Sequence, residues 1–284
     1  ITHTAMPFEQ PYPAHNPQGQ TLFLSDLHLG ALSSRAGLVL RFLHRHPADT
    51  YVLVGDILDL WQPLLPHWTA QDQAVINYLQ GRVRMGARLI YVRGNHDPDP
   101  ATIPAHARLT AEYVSSYIHQ TGDNKRFLVM HGDEADGRLI RAHVMTRLGS
   151  LIDHALRRCD RLLRRFSRGR PQTRSTVEWL LVATNALAYR GRAHERRMVE
   201  RARAAGLDGV ICGHFHIAAL HDHFGLTYAN CGDWVDSMTA LEDAGDGVLR
   251  MLGGREYMFG LAAAAQSAEA CTPSSASEQK VLTQ

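Results

Sequence analysis

Asp26 and His28, Asp56, the run Asn95-His96-Asp97, His131, and His214 with His216 are donors spread along most of this chain. They sit in five short motifs: Ser25-Asp26-Leu27-His28, Gly55-Asp56, Gly94-Asn95-His96-Asp97, His131-Gly132-Asp133 and Gly213-His214-Phe215-His216. Carboxylate and amide oxygens suit hard divalent cations, and imidazole suits manganese, iron and zinc-like ions. A single carboxylate can also bridge two ions. Together these donors could build a two-metal hydrolytic site. Such a site lowers the pKa of a bridging water, offsets phosphoryl charge and aligns in-line attack. One histidine at a strand end is more often structural than a ligand, so the joint order of five motifs carries the reading.

Each motif follows an apolar run that reads as a buried strand. The runs at 21–25, 51–54 and 88–92 alternate with helical patterns at 34–46 and 69–85, which predicts parallel strands with helical crossovers. In extended backbone alternate side chains share a face, which would let Asp26 and His28 reach one ion. Further strands are predicted at 113–119, 127–130, 209–212, 218–223, 226–230 and 248–252, with Phe224-Gly225 turning a hairpin. Asp59 and Asp133 are expected either to support histidines or to act as caps. Asn230 and Asp233 read first as turn residues and second as lining the substrate side. His44, His67, His154 and His194 receive no functional role.

Between the fourth and fifth motifs lies an arginine-rich insert. Residues 137–203 hold 17 arginines, no lysine and five acidic residues, a net +12 against −10 for the rest of the chain. Ile140, Val144, Leu148, Leu151, Ala155, Leu162 and Phe166 recur at helical spacing. Arg168-Gly169-Arg170-Pro171 breaks this pattern, and a second helical stretch follows over 175–203. The expected organisation is an arm over 1–20, a core over 21–136 and 206–260, a helical cap over 137–205 and a disordered tail over 261–284. Arginine is the better bidentate partner for phosphate, so the cap is expected to meet an anionic, lipid-bearing substrate or an anionic membrane surface. Arg157, Arg161, Arg164 and Arg165 are the named contacts.

Hydrophobic residues make up 45% of the chain and charged residues 20%, ordinary values for a globular protein. Cys159, Cys212, Cys231 and Cys271 form no C-x-x-C pair, and Cys212 and Cys231 lie in apolar runs, which predicts buried free thiols. No apolar run spans a bilayer and no secretory signal is visible after Ile1, so the expected location is cytoplasmic, peripheral to the inner membrane.

With these motifs the chain resembles the calcineurin-like metallophosphoesterases, whose fingerprint is D-x-H, G-D, G-N-H-[DE], H-G-[DH] and G-H-x-H. The stretches 208–216 and 228–237 and the helical insert resemble the bacterial branch of UDP-2,3-diacylglucosamine hydrolase, the lipid A pathway diphosphatase. That branch usually has Arg where this chain has His96, which brings the chain closer to a sister group. The resemblance implies an α/β fold: two mixed β-sheets packed as a sandwich with helices outside, plus an inserted helical cap. It also implies two metals, manganese first with iron or zinc as alternatives. The first is held by Asp26, His28, Asp56 and His216, the second by Asp56, Asn95, His131 and His214. His96 would stabilise the phosphoryl oxygens or protonate the leaving oxygen, with Asp97 orienting it. The implied function is a phosphoesterase or diphosphatase using metal-bridged hydroxide. The alternative is a phosphodiesterase or nuclease; nucleic acid stays open as a partner, although the arginines are not regularly interleaved with aromatic residues. A catalytically dead scaffold is disfavoured, because the whole donor set is present.

Overall fold

The computed structural model describes residues 19–60, 67–136 and 192–261. Its strands belong to two sheets. The first has six strands: β1 (Thr21–Leu24), β2 (Thr50–Val54), β3 (Arg88–Val92), β4 (Glu112–Val114), β10 (Thr239–Asp243) and β11 (Leu249–Gly253), ordered β11-β10-β1-β2-β3-β4. The second is β5 (Ser116–Gln120), β6 (Arg126–Met130), β7 (Gly209–Cys212), β8 (Ala219–His221) and β9 (Thr227–Asn230), ordered β5-β6-β7-β9-β8. Both sheets mix parallel and antiparallel pairs.

Strands buried on both faces must be apolar throughout, and here the two faces serve different layers. Leu22, Leu24, Tyr51 and Leu53 point outward beneath α1 (Ala36–Arg45) and α2 (Ala70–Arg84), where they meet Val39, Phe42, Val75 and Leu79. Phe23, Val52, Val54 and Ile90 point inward and pack against Phe127, Val129 and Ile211 of the second sheet. On the far side Leu128, Met130, Val210 and Tyr228 are covered by Met198, Val199 and Ala202 of α3 (Ala193–Ala204). The result is the expected two-sheet sandwich with helices outside. α2 starts on a reciprocal capping box: the Thr69 side chain accepts from the Asp72 N–H and the Asp72 carboxylate accepts from the Thr69 N–H.

Three features depart from the sequence reading. The strand predicted over 113–119 is two strands, because the chain crosses between sheets at Ser115: β4 pairs with β3 and β5 with β6. β10 was not anticipated. Its Thr-Ala-Leu-Glu-Asp sequence ends in acids, yet it lies between β1 and β11. Buried Asp243 is satisfied across the sandwich by His119 Nε2 at 2.8 Å, while the other nitrogen of that ring meets the Tyr117 hydroxyl at 2.7 Å. Third, α3 falls within the stretch assigned to the cap but packs as a helix of the core. Residues 137–191, the rest of the expected cap, lie outside the described residues, as do the arm over 1–18 and the tail over 262–284.

Cys212 and Cys231 are buried free thiols, as expected. No helix among the described residues is long and apolar enough to cross a membrane.

Candidate metal centre

All five motifs lie just beyond the C-terminal ends of strands: β1, β2 and β3 in one sheet, β6 and β7 in the other. The site therefore straddles the same edge of both sheets, where loops from distant parts of the chain converge. Backbone bonds tie those loops together. The Asp26 N–H donates to Gly55 O (3.0 Å), His28 N–H to Asp56 O (3.0 Å), Gly213 N–H to His131 O (3.1 Å) and Trp234 N–H to Asp26 O (3.1 Å).

Asp26 and His28 do come together, but not by extended alternation. Both have left-handed backbone (φ 54° and 45°), as do Asp56 (54°), His214 (79°) and His216 (59°). Non-glycine residues in this region each cost about 1–3 kcal/mol, a cost tolerated where the surroundings over-determine the conformation. Here the left-handed turns fold five donor side chains back over the sheet edge. The packing is tight enough that a Cβ on Gly94 would collide with the Asp56 carboxylate, and one on Gly55 with the His131 ring.

The donors meet in three overlapping groups, Asp26 with His28 and His216, Asp26 with Asp56 and His131, and His28 with Asp59 and His96, each with its ligand atoms within 4.8 Å of one another. Asp26 Oδ2 accepts from the Ser25 hydroxyl and from the His214 N–H at 3.1 Å. Its Oδ1 faces His216 Nε2 at 3.1 Å and His28 Nε2 at 3.8 Å. The two ring nitrogens are themselves 3.4 Å apart. On the other side, the His131 Nδ1–H donates to Val54 O at 3.0 Å, which turns Nε2 toward Asp56 Oδ2 at 3.2 Å. The His214 ring stands edge-on to His131, with centroids 5.2 Å apart.

Asp26 Oδ1, Asn95 Oδ1 and His131 Nε2 are buried without a well-formed hydrogen bond, Asp26 Oδ1 and His131 Nε2 having only the side-chain contacts given above. Burying such atoms with their hydrogen-bonding capacity unmet is unfavourable, and three of them in motifs that converge on one edge have the chemistry of a metal-ion cradle. The residues present fit two divalent ions.

His96 stands beside this cradle, at 4.0 Å from Asp56 Oδ2 through Nε2. The carboxylate next to its ring is Asp59, whose Oδ2 lies 3.5 Å from His96 Nδ1 and 3.5 Å from His28 Nδ1. Asp59 thus supports two histidines, the first of its two anticipated roles. Asp97 does not take the role expected of it. Its oxygens accept from backbone N–H groups of the β2 and β3 loops and from the Tyr91 hydroxyl. Burial and the adjacent Asp56 charge push its carboxyl up to about 6.

Asn230 and Asp233 behave as turn residues. The Asn230 amide donates to Gly213 O at 2.8 Å, and the Asp233 carboxylate accepts from the N–H groups of Val235 and Ser237. Asp133 opens a short 3-10 turn, Asp133–Asp136. His194, given no role from sequence, is buried on α3 with its ring 4.7 Å from Phe215 and 5.8 Å from His214. Nothing local marked it, because its neighbours come from the loop after β7. Arg157, Arg161, Arg164 and Arg165 lie outside the described residues.

The family model for calcineurin-like phosphoesterases matches residues 19–218, which contain all five motifs. The chain belongs to that family. No curated protein matches the chain at a significant level. Among solved structures, this phosphoesterase is similar to an archaeal phosphodiesterase (12% identity, 82% of this chain and 98% of that one, TM-score 0.42). It is similar to the phosphoesterase Yfce from E. coli (15% identity, 82% and 98% coverage, TM-score 0.40). It is also similar to zinc-complexed Vps29 from Entamoeba histolytica (14% identity, 82% and 97% coverage, TM-score 0.36).

The electrostatics of the phosphoesterase centre give a pH-dependence. Burial alone would lower the pKa values of His28 and His131. The carboxylates outweigh it: Asp26 and Asp59 at His28, and Asp56 at His131, hold both imidazoles well above their ordinary 6.5. A histidine whose folded pKa is raised adds stability that is complete below its unfolded value and lost as pH rises through the folded one. The metal-free protein should therefore lose melting temperature as pH climbs above about 6.5. Divalent ions must displace those same protons. Mn²⁺ titrations by calorimetry in buffers of different ionisation enthalpy should show net proton release, with tighter binding at pH 8 than at pH 6. Equal affinity at both values would contradict the assignment of these imidazoles as ligands.

Proposed function

We propose that this phosphoesterase hydrolyses a phosphate ester or pyrophosphate bond of an amphipathic, anionic molecule resembling UDP-2,3-diacylglucosamine. The observation that carries the chemistry is the set of buried ligand atoms with unmet hydrogen-bonding capacity, Asp26 Oδ1, Asn95 Oδ1 and His131 Nε2, brought to one edge of the sandwich. Asp26, His28, Asp56 and His216 would hold one ion, and Asp56, Asn95, His131 and His214 the other. Manganese is the first choice for both. When bound, two such ions supply Lewis acidity toward phosphoryl oxygens and lower the pKa of a coordinated water.

The chain's own residues do the rest. His96, with Nδ1 beside Asp59, presents Nε2 on the side of Asp56, where it can donate a hydrogen bond to a phosphoryl oxygen or a proton to the leaving oxygen. Asp59 Oδ2, 3.5 Å from Nδ1, favours the tautomer with hydrogen on Nδ1 and so leaves Nε2 to face the site. The β1 and β2 loops, bonded to one another, keep Asp26 and Asp56 in register. Support for an anionic substrate comes from the arginine-rich insert, and part of that charge is carried by Arg196, Arg197 and Arg203 on the exposed side of α3.

The test is release of UMP from UDP-2,3-diacylglucosamine by Mn²⁺-loaded protein, with p-nitrophenyl phosphate and its bis-ester run in parallel. UMP release supports the diphosphatase reading. Turnover of the generic esters alone retains the two-metal chemistry and replaces the substrate, with bis-ester preference favouring a phosphodiesterase. No turnover of any of the three refutes the proposal.

A further inference from the structure

Asp97 receives five hydrogen bonds on one buried carboxylate. Oδ2 accepts from the N–H groups of Asp56 (2.8 Å) and Gly94 (2.8 Å). Oδ1 accepts from the N–H groups of Ile57 (2.9 Å) and Leu58 (2.9 Å) and from the Tyr91 hydroxyl (2.6 Å). A carboxylate offers about four lone-pair sites, so this one is saturated. Three of its donors belong to the loop that carries Asp56; the others belong to β3 and the loop after it. The return contact runs the opposite way: His96 N–H donates to Asp56 Oδ1 at 2.7 Å. The two loops are thus locked twice, once through the Asp97 side chain and once through the Asp56 side chain. With Oδ1 of Asp56 occupied, Oδ2 is the oxygen left facing His131 and His96.

We infer that Asp97 is a positioning residue for the shared ligand Asp56, and that it acts on the metal pair rather than on His96. Asp56 is left-handed (φ 54°), a conformation that persists only where the surroundings over-determine it. The Asp97 carboxylate does this by gathering three successive N–H groups, those of residues 56, 57 and 58. Relaxing that turn would move the Asp56 carboxylate out of the position from which it would hold both ions. The inference rests on the dinuclear reading of the centre.

An Asn at position 97 is nearly isosteric but cannot satisfy the clamp. Its amide nitrogen would face at least two N–H donors in either orientation. Conserving shape while reversing one set of bonds separates positioning from packing. Binding of Mn²⁺ alone, followed by equilibrium dialysis and by the electron paramagnetic resonance of the loaded protein, is the readout. In Asp97→Asn the midpoint for the second Mn²⁺ should shift by about 10–100-fold. The spin-coupled spectrum of a manganese pair should give way to that of isolated Mn²⁺, and excess Mn²⁺ should restore part of the turnover. Tyr91→Phe removes one donor of five and leaves the carboxylate in place. It should shift the midpoint in the same direction by about 2–5-fold, a reduced share of the effect of outer partners, and it serves as the test if Asp97→Asn does not fold.

Two Mn²⁺ bound to Asp97→Asn with the wild-type midpoint and an intact coupled spectrum would overturn the inference. So would an unshifted midpoint in Tyr91→Phe if the asparagine variant is insoluble. Wild-type protein that binds no Mn²⁺ pair would instead overturn the dinuclear reading itself.

Discussion

Asp56→Ala should reduce hydrolysis by about 10³-fold or more, because several kcal/mol of transition-state charge stabilisation depend on two ions held together. Asp56 is the carboxylate that the proposed ligand sets assign to both ions. It shares a ligand group with Asp26 and His131, and its Oδ2 lies 3.2 Å from His131 Nε2. The substitution has a second consequence. It removes the acceptor of the His96 N–H, so the loop presenting His96 also loses an anchor. Asp56→Asn keeps a carbonyl oxygen for that N–H and loses the charge. If bridging is the principal role, Asn should be nearly as inactive as Ala while melting closer to wild type. Turnover of bis-p-nitrophenyl phosphate, with metal content measured on the same samples, checks both. Full activity in either variant would sink the two-metal mechanism.

His96→Ala should lower kcat by about 10²–10⁴-fold while leaving metal content near normal. The ring is 15% exposed, held by Asp59 on one side and reaching toward Asp56 on the other. That suits a group which meets substrate oxygen and does not close a coordination shell. Asp59→Asn should have a smaller effect on kcat, since the ring would stay but lose the carboxylate that orients it. Because Asp59 also touches His28, its variant should weaken metal binding modestly, which His96→Ala should not. Loss of a metal ion in His96→Ala would reassign the residue as a ligand. The grouping of His28, Asp59 and His96 within 4.8 Å makes that outcome a concrete alternative.

Much of the fold was readable along the chain because its causes are local. Residues 22–24, 51–54 and 89–92 are apolar throughout, the pattern of strands buried on both faces, and the helices between them show one apolar side. Donor motifs at the ends of these runs announced the chemistry directly. β10 stayed hidden since its buried Asp243 is hydrogen-bonded by His119, more than a hundred residues away in sequence. The crossing at Ser115 was invisible because residues on both sides of it are good strand formers. α3 read as part of the insert for a similar reason: its arginines continue the basic composition, while Met198, Val199 and Ala202 turn inward.

The sequence by itself determined the donor inventory, the strand-end placement of the motifs and the family, since atom types and short-range periodicity are properties of the chain. Tertiary structure decided the backbone hand at Asp26, His28 and Asp56, the pairing of Asp59 with two histidines, and the diversion of Asp97 from His96 to the Asp56 turn. The physical reason is the same in each case. A carboxylate goes to whichever donors the fold brings within about 3 Å, and those donors come from other loops whose positions no neighbouring residue encodes.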